Sequence, residues 1–542
     1  MPWTARLALV AALASVPAVR LLSGWVPPES ASIVIVTGAQ ATAPVPTLLE
    51  GTRNSTANQD IADQLFLRLA GLGPGLVTAG DRDFVPLLAR RWTRRDSLTL
   101  AFELDPRARW HDGVPVSSRD VVFTMRRARD SAIAPRLAGV TSRIAAVEAE
   151  GEHTVVFRYR QAYAEQLYDA AYHTAIVPAH LLEQLPATDS AWAPFAAHPI
   201  GNGPYRWVRR QGTEFIELAA NEEFFLGVPA IKRVIVRVAA DPSARLNLLL
   251  SGEADATENV PPPISNVERV EAAKHLKVVP FPSSNLGYLL FNHRDPADLD
   301  RPHPILADRD VRRALVLALD RQLMVKAVLG RFGEVPYGPA SAQLWIRHGA
   351  PAAATQDQST ARQLLAGRGW VDRDGDGVRE NRRGEPLVLR LQVTTTSEQR
   401  QRLASMIQEQ LRQVGVRLEV VRLDFPVTLE RRTAGKFDID FSSAFQDPSP
   451  SGLAGSWSCN GPGNKGRYCD PVADSLLLRA MASPVADRLL WHDFLRRIEE
   501  IAPAAFIYGQ AYVAGVNRRF PGVVIRPNSP WESLWRWPAP HS

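Results

Sequence analysis

The stretch from Trp92 to Phe123 constrains this chain more than any other. It holds Leu98-Thr-Leu-Ala-Phe-Glu-Leu-Asp105, then Pro106, then Trp110-His-Asp-Gly113 and Val114-Pro-Val-Ser-Ser-Arg-Asp120. Leu98, Leu100, Phe102 and Leu104 alternate with Thr99, Ala101 and Glu103, which predicts a strand with one apolar face. Asp112-Gly113 then supplies a tight turn, and Ser117 or Ser118 caps a helix beginning near Asp120.

Other segments repeat this grammar. Ile33 to Val36 reads as a strand, and Ile61 to Ala70 has helical spacing that Pro74-Gly75 ends. Gly201-Asn-Gly-Pro-Tyr205 is a turn entering the strand Tyr205 to Arg209, followed by Phe215 to Ala219 with period-two apolar spacing. Ile231 to Val238 is a further strand, and Asp241-Pro242 precedes the helix Ala244 to Ser251. Gly287 to Asn292 is predicted as a strand. Asp308 or Asp310 caps a helix whose apolar stripe is Val311, Leu315, Ala318 and Leu319, continued by Leu323. The helix Leu403 to Val414 ends at Gly415 and feeds the strand Val416 to Val421.

Taken in order, the Trp110 to Asp120 run, Gly201 to Tyr205, Asn221-Glu-Glu-Phe-Phe225, Asp241-Pro242, Gly252-Glu-Ala-Asp255 and Leu286 to Asn292 closely resemble one family. It is the extracytoplasmic solute-binding proteins of family 5, the peptide, dipeptide and nickel receptors of ABC importers, with matches from about residue 85 to 475. The resemblance implies an α/β, periplasmic-binding-protein-like two-lobed (Venus flytrap) fold of the large type with an additional inserted domain. It places a split lobe I at 31–70, 197–282 and 512–542, an inserted small domain at 71–196 and lobe II at 283–511. It implies a receptor that binds a peptide or other small polar solute between the lobes and delivers it to an ABC permease and its ATPase subunits. An exported hydrolase and a non-transporting ligand sensor are the alternatives.

The 542 residues are too many for one small core. The net charge of +6 arises from 63 basic and 57 acidic residues mixed along the chain, without the concentrated basic element of a nucleic-acid binder. A monomer is expected, with no cofactor. Leu7 to Val19 is an apolar run between Arg6 and Arg20, shorter than the roughly 20 residues of a membrane span. Residues 1–30 are therefore expected to be a signal peptide or N-terminal anchor, which places the protein in the periplasm or outside the cell. No cysteine lies nearby to carry a lipid. The two cysteines, Cys459 and Cys469, sit in a turn-rich segment without further ligands at zinc spacing, so a disulfide is expected.

His111 and Asp112 invite an acid/base reading, but no Gly-x-Ser-x-Gly elbow accompanies them, and in the resembled family this run is a structural corner. Asp372-Arg-Asp-Gly-Asp376-Gly377 matches the first half of an EF-hand loop, yet its twelfth position is Arg383 where a bidentate carboxylate is needed. A glycine-rich turn is expected there, and no metal. Gly71-Leu-Gly-Pro-Gly75 follows a helix rather than a strand and makes a poor phosphate cradle.

For cargo contact the resemblance points to Phe441, Ser443, Ala444, Phe445, Gln446, Asp447 and Trp457, with Thr394 and Thr395 on the neighbouring segment. Peptide receptors of the family hold the ligand's amino group with an Asp just before the Asp-Pro that matches Asp447-Pro448, and here Phe441 to Gln446 contains no acid. Dipeptide receptors present an Arg before the helix matching Leu403 to Val414, and Leu391 to Gln399 contains none. A charged terminus buried without a counter-charge costs several kcal/mol, so free zwitterionic dipeptides are disfavoured as cargo.

Overall fold

In a computed structural model, which describes residues 31–46, 56–186 and 188–541, one large sheet runs through the molecule. The expected signal segment lies outside the described residues. The main strands are Ser32–Thr37 (β1), Tyr205–Gln211 (β2), Phe215–Ala220 (β3), Arg233–Val238 (β4), Ala256–Thr257 (β5), Leu276–Phe291 (β6), Val388–Thr394 (β7), Arg417–Leu423 (β8), Ile439–Phe445 (β9) and Ala504–Asn517 (β10). Across the sheet they lie in the order β8-β7-β9-β6-β10-β5-β1-β4-β3-β2, with the short strand Gly333–Glu334 also on β10.

The sheet has two halves because only β6 and β10 pass from one to the other. These strands are 16 and 14 residues long and antiparallel. From Leu276↔Asn517 to Pro282↔Ala511 they pair within the first half, and from Leu286↔Gly509 to Leu290↔Ala504 within the second, with register shifts after Pro282 and after Gly287. Each half buries its own core. Ile33, Ile35, Leu218 and Val234 belong to one, and Leu289, Leu389, Leu391 and Ile439 to the other. The fold is thus the expected two-lobed α/β architecture.

The Trp92 to Phe123 region forms a separate four-stranded sheet, ordered Ala89–Asp96, Thr99–Leu104, Thr154–Tyr159 and Ile144–Ala149. Its core runs without a break into that of the first half, through Phe102, Trp110 and Phe123 to Leu65 and Phe66. Ser117 is the N-cap of the helix Ser118–Ala128, and the Asp120 carboxylate accepts from Ser117 N at 2.8 Å. The alternation differs from expectation. Thr99 and Ala101 are buried as well as Leu100 and Phe102, because the strand is interior to its sheet, and Leu98 lies outside it and is exposed.

Three predicted helix boundaries also move. The helix expected over Ile61 to Ala70 is Thr56–Leu65, and Ala70–Leu72 is a strand paired with Phe84–Pro86. It stops where Asn202 N and Gly203 N take the Leu65 carbonyl, and Asn202 Oδ1 accepts from Leu67 N. Leu323 does not continue the stripe of helix Arg309–Leu317. A new helix, Arg321–Leu329, starts at the Asp320 cap and buries Met324 and Val325 instead. The helix read as Leu403 to Val414 begins earlier, at Glu398, behind a Ser397 cap.

Candidate functional site

Strand directions define where the two halves face each other. β10 runs from the second half into the first, and β5, antiparallel to it, points back with the parallel β1 and β4. β9 is antiparallel to β6 and so runs with β10 toward the first half, as do the parallel β7 and β8. The carboxyl ends of both parallel sets therefore converge on the register break at Pro282 to Leu286. In open α/β sheets, ligands bind outside the carboxyl ends of the strands, and here two such edges oppose one another. A shallow interlobe groove beside the crossing strands is lined by Asn259, Ile264, Phe332, Gln399, Arg402 and Gln510 among others.

Contacts away from the crossing strands tie the segment 71–196 to the second half. Glu165, buried, accepts from Thr78 Oγ1 at 2.5 Å, from Ser449 Oγ at 2.7 Å and from Ser451 Oγ. Trp345 Nε1 donates to Thr78 Oγ1 at 3.2 Å. Tyr168 Oη donates to Asp447 Oδ1 at 2.5 Å, and Ala164 N to the Ser483 carbonyl at 2.8 Å. Burial raises the Glu165 carboxyl above its ordinary value, Asp169 adds to the rise, and the three hydroxyls partly offset it. His173 is raised too. Burial works against that rise, but the hydrogen bond to Asp169 and the nearby Asp447 and Glu165 outweigh it.

The predicted cargo residues separate into two groups. Phe441 and Trp457 are core residues and cannot line the cleft in this arrangement. The Phe441 ring lies 6.4 Å from that of Tyr508, and Trp457 packs between Tyr288 at 5.5 Å and Phe506 at 5.2 Å. Thr394 is buried and bonded to Thr396. Gln446 is held by the loop before it in space, with Ser341 N donating to Oε1 at 2.7 Å. Asp447 is occupied by Tyr168 and by Ser449 N. At the carboxyl edge itself stand Ser443 and Ala444, half-buried, and the exposed Thr395 and Phe445. Phe445 is 68% exposed, so a large apolar side chain stands uncovered at the end of β9. Arg400, in the first turn of the helix that begins at Glu398, donates to the Phe441 carbonyl at 3.0 Å.

His111 is locked into backbone. Its Nδ1 accepts from Gly201 N at 3.1 Å, which leaves Nε2 to donate to the Gly203 carbonyl at 3.1 Å. Burial lowers its pKa to about 4, so the ring is neutral and both nitrogens are engaged. Asp112 bonds His180 rather than His111, at 2.8 Å. This is a fold corner. Asp372, Asp374, Asp376 and, unexpectedly, Glu380 gather carboxylate oxygens within 4.8 Å of one another, where the sequence directed attention to Arg383. Asp372 also takes Gly375 N and Gly377 N, as a turn requires.

Cys459 and Cys469 form the expected disulfide. Removing it with paired serines is expected to cost about 2 to 3 kcal/mol in denaturant-unfolding stability, from loop closure. An unchanged midpoint would contradict that.

Two lobes joined by crossing strands, with opposed strand ends between them, define a solute-binding protein fold. The chain belongs to the bacterial extracellular solute-binding proteins of family 5, whose family model matches residues 83–466. It is 27% identical over 335 residues to the oligopeptide-binding protein AppA of Bacillus subtilis, an alignment covering 61% of this chain and 60% of that protein's length. It is 26% identical over 508 residues to a probable di/tripeptide-binding protein of Pseudomonas aeruginosa, covering 85% of this chain and 88% of that one. The crystal structure of NikA from Brucella suis in complex with Fe(III)-EDTA shares the fold, with a TM-score of 0.78 at 17% identity, covering 94% of this chain and 99% of that one. Among the described residues no helix is long and apolar enough to cross a membrane.

Proposed function

We propose that this protein is the extracytoplasmic receptor of an ABC import system. It takes a peptide or another small polar solute between its halves and presents the closed form to the permease and its ATPase subunits, acting as a monomer and making or breaking no bond. The observation that carries this reading is the opposition of the two sets of strand carboxyl ends across the register break in β6 and β10. A pair of crossing strands is a hinge of the kind that lets ligand contacts on both sides favour closure. The relatives named for peptide binding support the cargo class, and the engagement of both His111 nitrogens supports a receptor over a hydrolase.

The register break also supports the division into lobe I at 31–70, 197–282 and 512–542 and lobe II at 283–511, since Pro282 pairs with Ala511 at the last regular position. The segment 71–196 is then a small domain seated on lobe I through a shared core.

Phe445 is the side chain that cargo covers in this reading. Burying a Phe contributes about 2 kcal/mol, so Phe445→Ala is expected to weaken cargo binding about 30-fold while the melting temperature without cargo stays unchanged. Calorimetric titration with compound recovered from the purified protein checks this. Equal affinity in the variant would remove Phe445 from the site.

A further inference from the structure

A cavity of about 500 Å³ opens on the second half beside the crossing strands, a size that accommodates a small-molecule ligand. It lies between helix Arg321–Leu329 and the two arms of a strap, 333–337 leading out and 347–353 returning. The outgoing arm starts with Gly333–Glu334, paired with β10 at Gln510 and Gly509, beside the register break. The sequence accounts for the space. The returning arm reads Ala350-Pro-Ala-Ala353, whose side chains are too small to fill it. Gly333 lets the outgoing arm press onto the helix, since a Cβ there would lie 2.6 Å from Val325 Cγ1 and from Leu329 Cβ. Of the lining residues Val325 and Tyr337 are buried, while Gln322 and Lys326 stand exposed at the rim.

The lining carries two cations and one acid. Arg347 and Glu334 tie the arms together, Nη2 donating to Oε1 at 3.1 Å. A guanidinium has five N–H donors, and this is the one side-chain hydrogen bond that Arg347 makes among the described residues. Its side chain is 17% exposed, so the cavity is what its remaining donors face. Lys326 makes no hydrogen bond or ion pair among the described residues, and no second acid lines the cavity. A lone surface lysine is ordinarily just solvated. Here it stands over the same cavity as a half-engaged, largely covered arginine, above the apolar Val325 and Val335 and the Tyr337 ring. What fits is an anion that takes donors from both cations and lays an apolar body on that floor.

We infer that this cavity is a second ligand site, separate from the interlobe cleft, for a carboxylate on a short apolar body, held by Arg347 and Lys326. The strap gives the site a consequence. Between its arms, Ser341 N and Gln343 Nε2 donate to Gln446 at 2.7 Å each, and Gln343 Oε1 accepts from Asn528 Nδ2 of the first half at 2.6 Å. Trp345 follows, donating to Thr78 of the segment 71–196. This consequence rests on the receptor reading: a ligand clamping both arms steadies the contacts between the halves and raises cargo affinity, as cargo raises the ligand's.

The test uses the full chain in buffer free of carboxylate and phosphate. Straight-chain acids from acetate to octanoate, their neutral amides and inorganic phosphate are titrated by calorimetry. The acids longer than acetate are expected to bind at least about tenfold more tightly than their amides and than phosphate, with affinity rising along the series as methylenes are buried. Lys326→Gln and Arg347→Gln are each expected to weaken the acids about tenfold, the effect of one charge-assisted hydrogen bond lost. Phe445→Ala, at the cleft, should leave them unchanged. Melting transitions report folding, and the exposed Lys326→Gln tests the site even where Arg347→Gln melts early. Acids and amides that bind alike, phosphate that binds as tightly as the acids, or acid binding that survives both variants overturns the inference. Binding that Phe445→Ala abolishes places the acids in the cleft and overturns it too. If no acid binds, the second site fails while the receptor reading stands, since that reading is tested by retained cargo.

Discussion

Gly201→Ala is expected to prevent accumulation of folded protein, or to lower its stability by well over 3 kcal/mol, the range of severe backbone and packing defects. A Cβ at Gly201 would lie 1.8 Å from the Leu65 carbonyl oxygen and 2.7 Å from its carbon, and both atoms are backbone. No rotamer relieves that overlap. The Leu65 carbonyl cannot retreat, because it ends helix Thr56–Leu65 and accepts from Asn202 N at 2.9 Å and Gly203 N at 2.8 Å. The same turn is gripped by His111 from the other side. Three chain segments far apart in sequence thus meet at one glycine. Circular dichroism melting of Gly201→Ala beside Gly139→Ala, where a Cβ meets nothing within 4 Å, separates the corner from a general glycine effect. Comparable melting of the two variants would contradict the account of the corner.

The second large effect falls on closure. Glu165→Ala is expected to shift the closed-to-open ratio about 100-fold toward open, equivalent to about 3 kcal/mol for lost hydrogen bonds to a buried carboxylate. Thr78, Ser449 and Ser451 lose their common acceptor, and only opening returns the two serines to water. Global unfolding should change less, since each lobe keeps its own core. Scattering in solution measures the shift as an increase in radius of gyration without cargo.

The pH dependence has a definite sign. Opening withdraws Ser449 and Ser451 and is expected to let Glu165 fall back toward the ordinary carboxylate value, whereas in the present arrangement burial raises it. The closed form therefore binds the proton more tightly, and this contribution is fully present below the open-form value and lost as pH rises through the raised one. His173 is raised against its burial chiefly by Asp169 on its own segment, so only the contribution of Asp447 depends on closure. Its neighbours Asp169, Arg143, Tyr163, Tyr168 and Asp447 form the rest of the cluster. Closure without cargo should be stronger at about pH 5 than at about pH 8, and Glu165→Gln should flatten that difference. A pH-independent closed fraction would count against the cluster.

How much of this was legible in the sequence follows from the range of each interaction. Strand alternation, caps at Ser117 and Asp308, and the glycine turn at Gly201 are local, and the family order of such features identified the fold. Phe441 and Phe445 show where local reading ends. They lie on the same strand four residues apart, and periodicity cannot tell that one sits in mid-strand beside Tyr508 while the other stands at the uncovered end. Glu165 gave no signal at all, because its partners are 87, 284 and 286 residues away. The missing acid and arginine near Phe441 and in Leu391 to Gln399 were legible as absences, and the structure adds that Asp447 and Arg400 already have partners.

The most direct measurement of the central claim is solution scattering on cargo-free protein, before and after addition of the compound that mass spectrometry identifies in the freshly purified chain. A receptor that closes on its cargo between opposed strand ends should carry such a compound and contract on rebinding it, with one compound bound per chain. No retained small molecule, together with identical scattering curves across a broad panel of small solutes, would contradict the account.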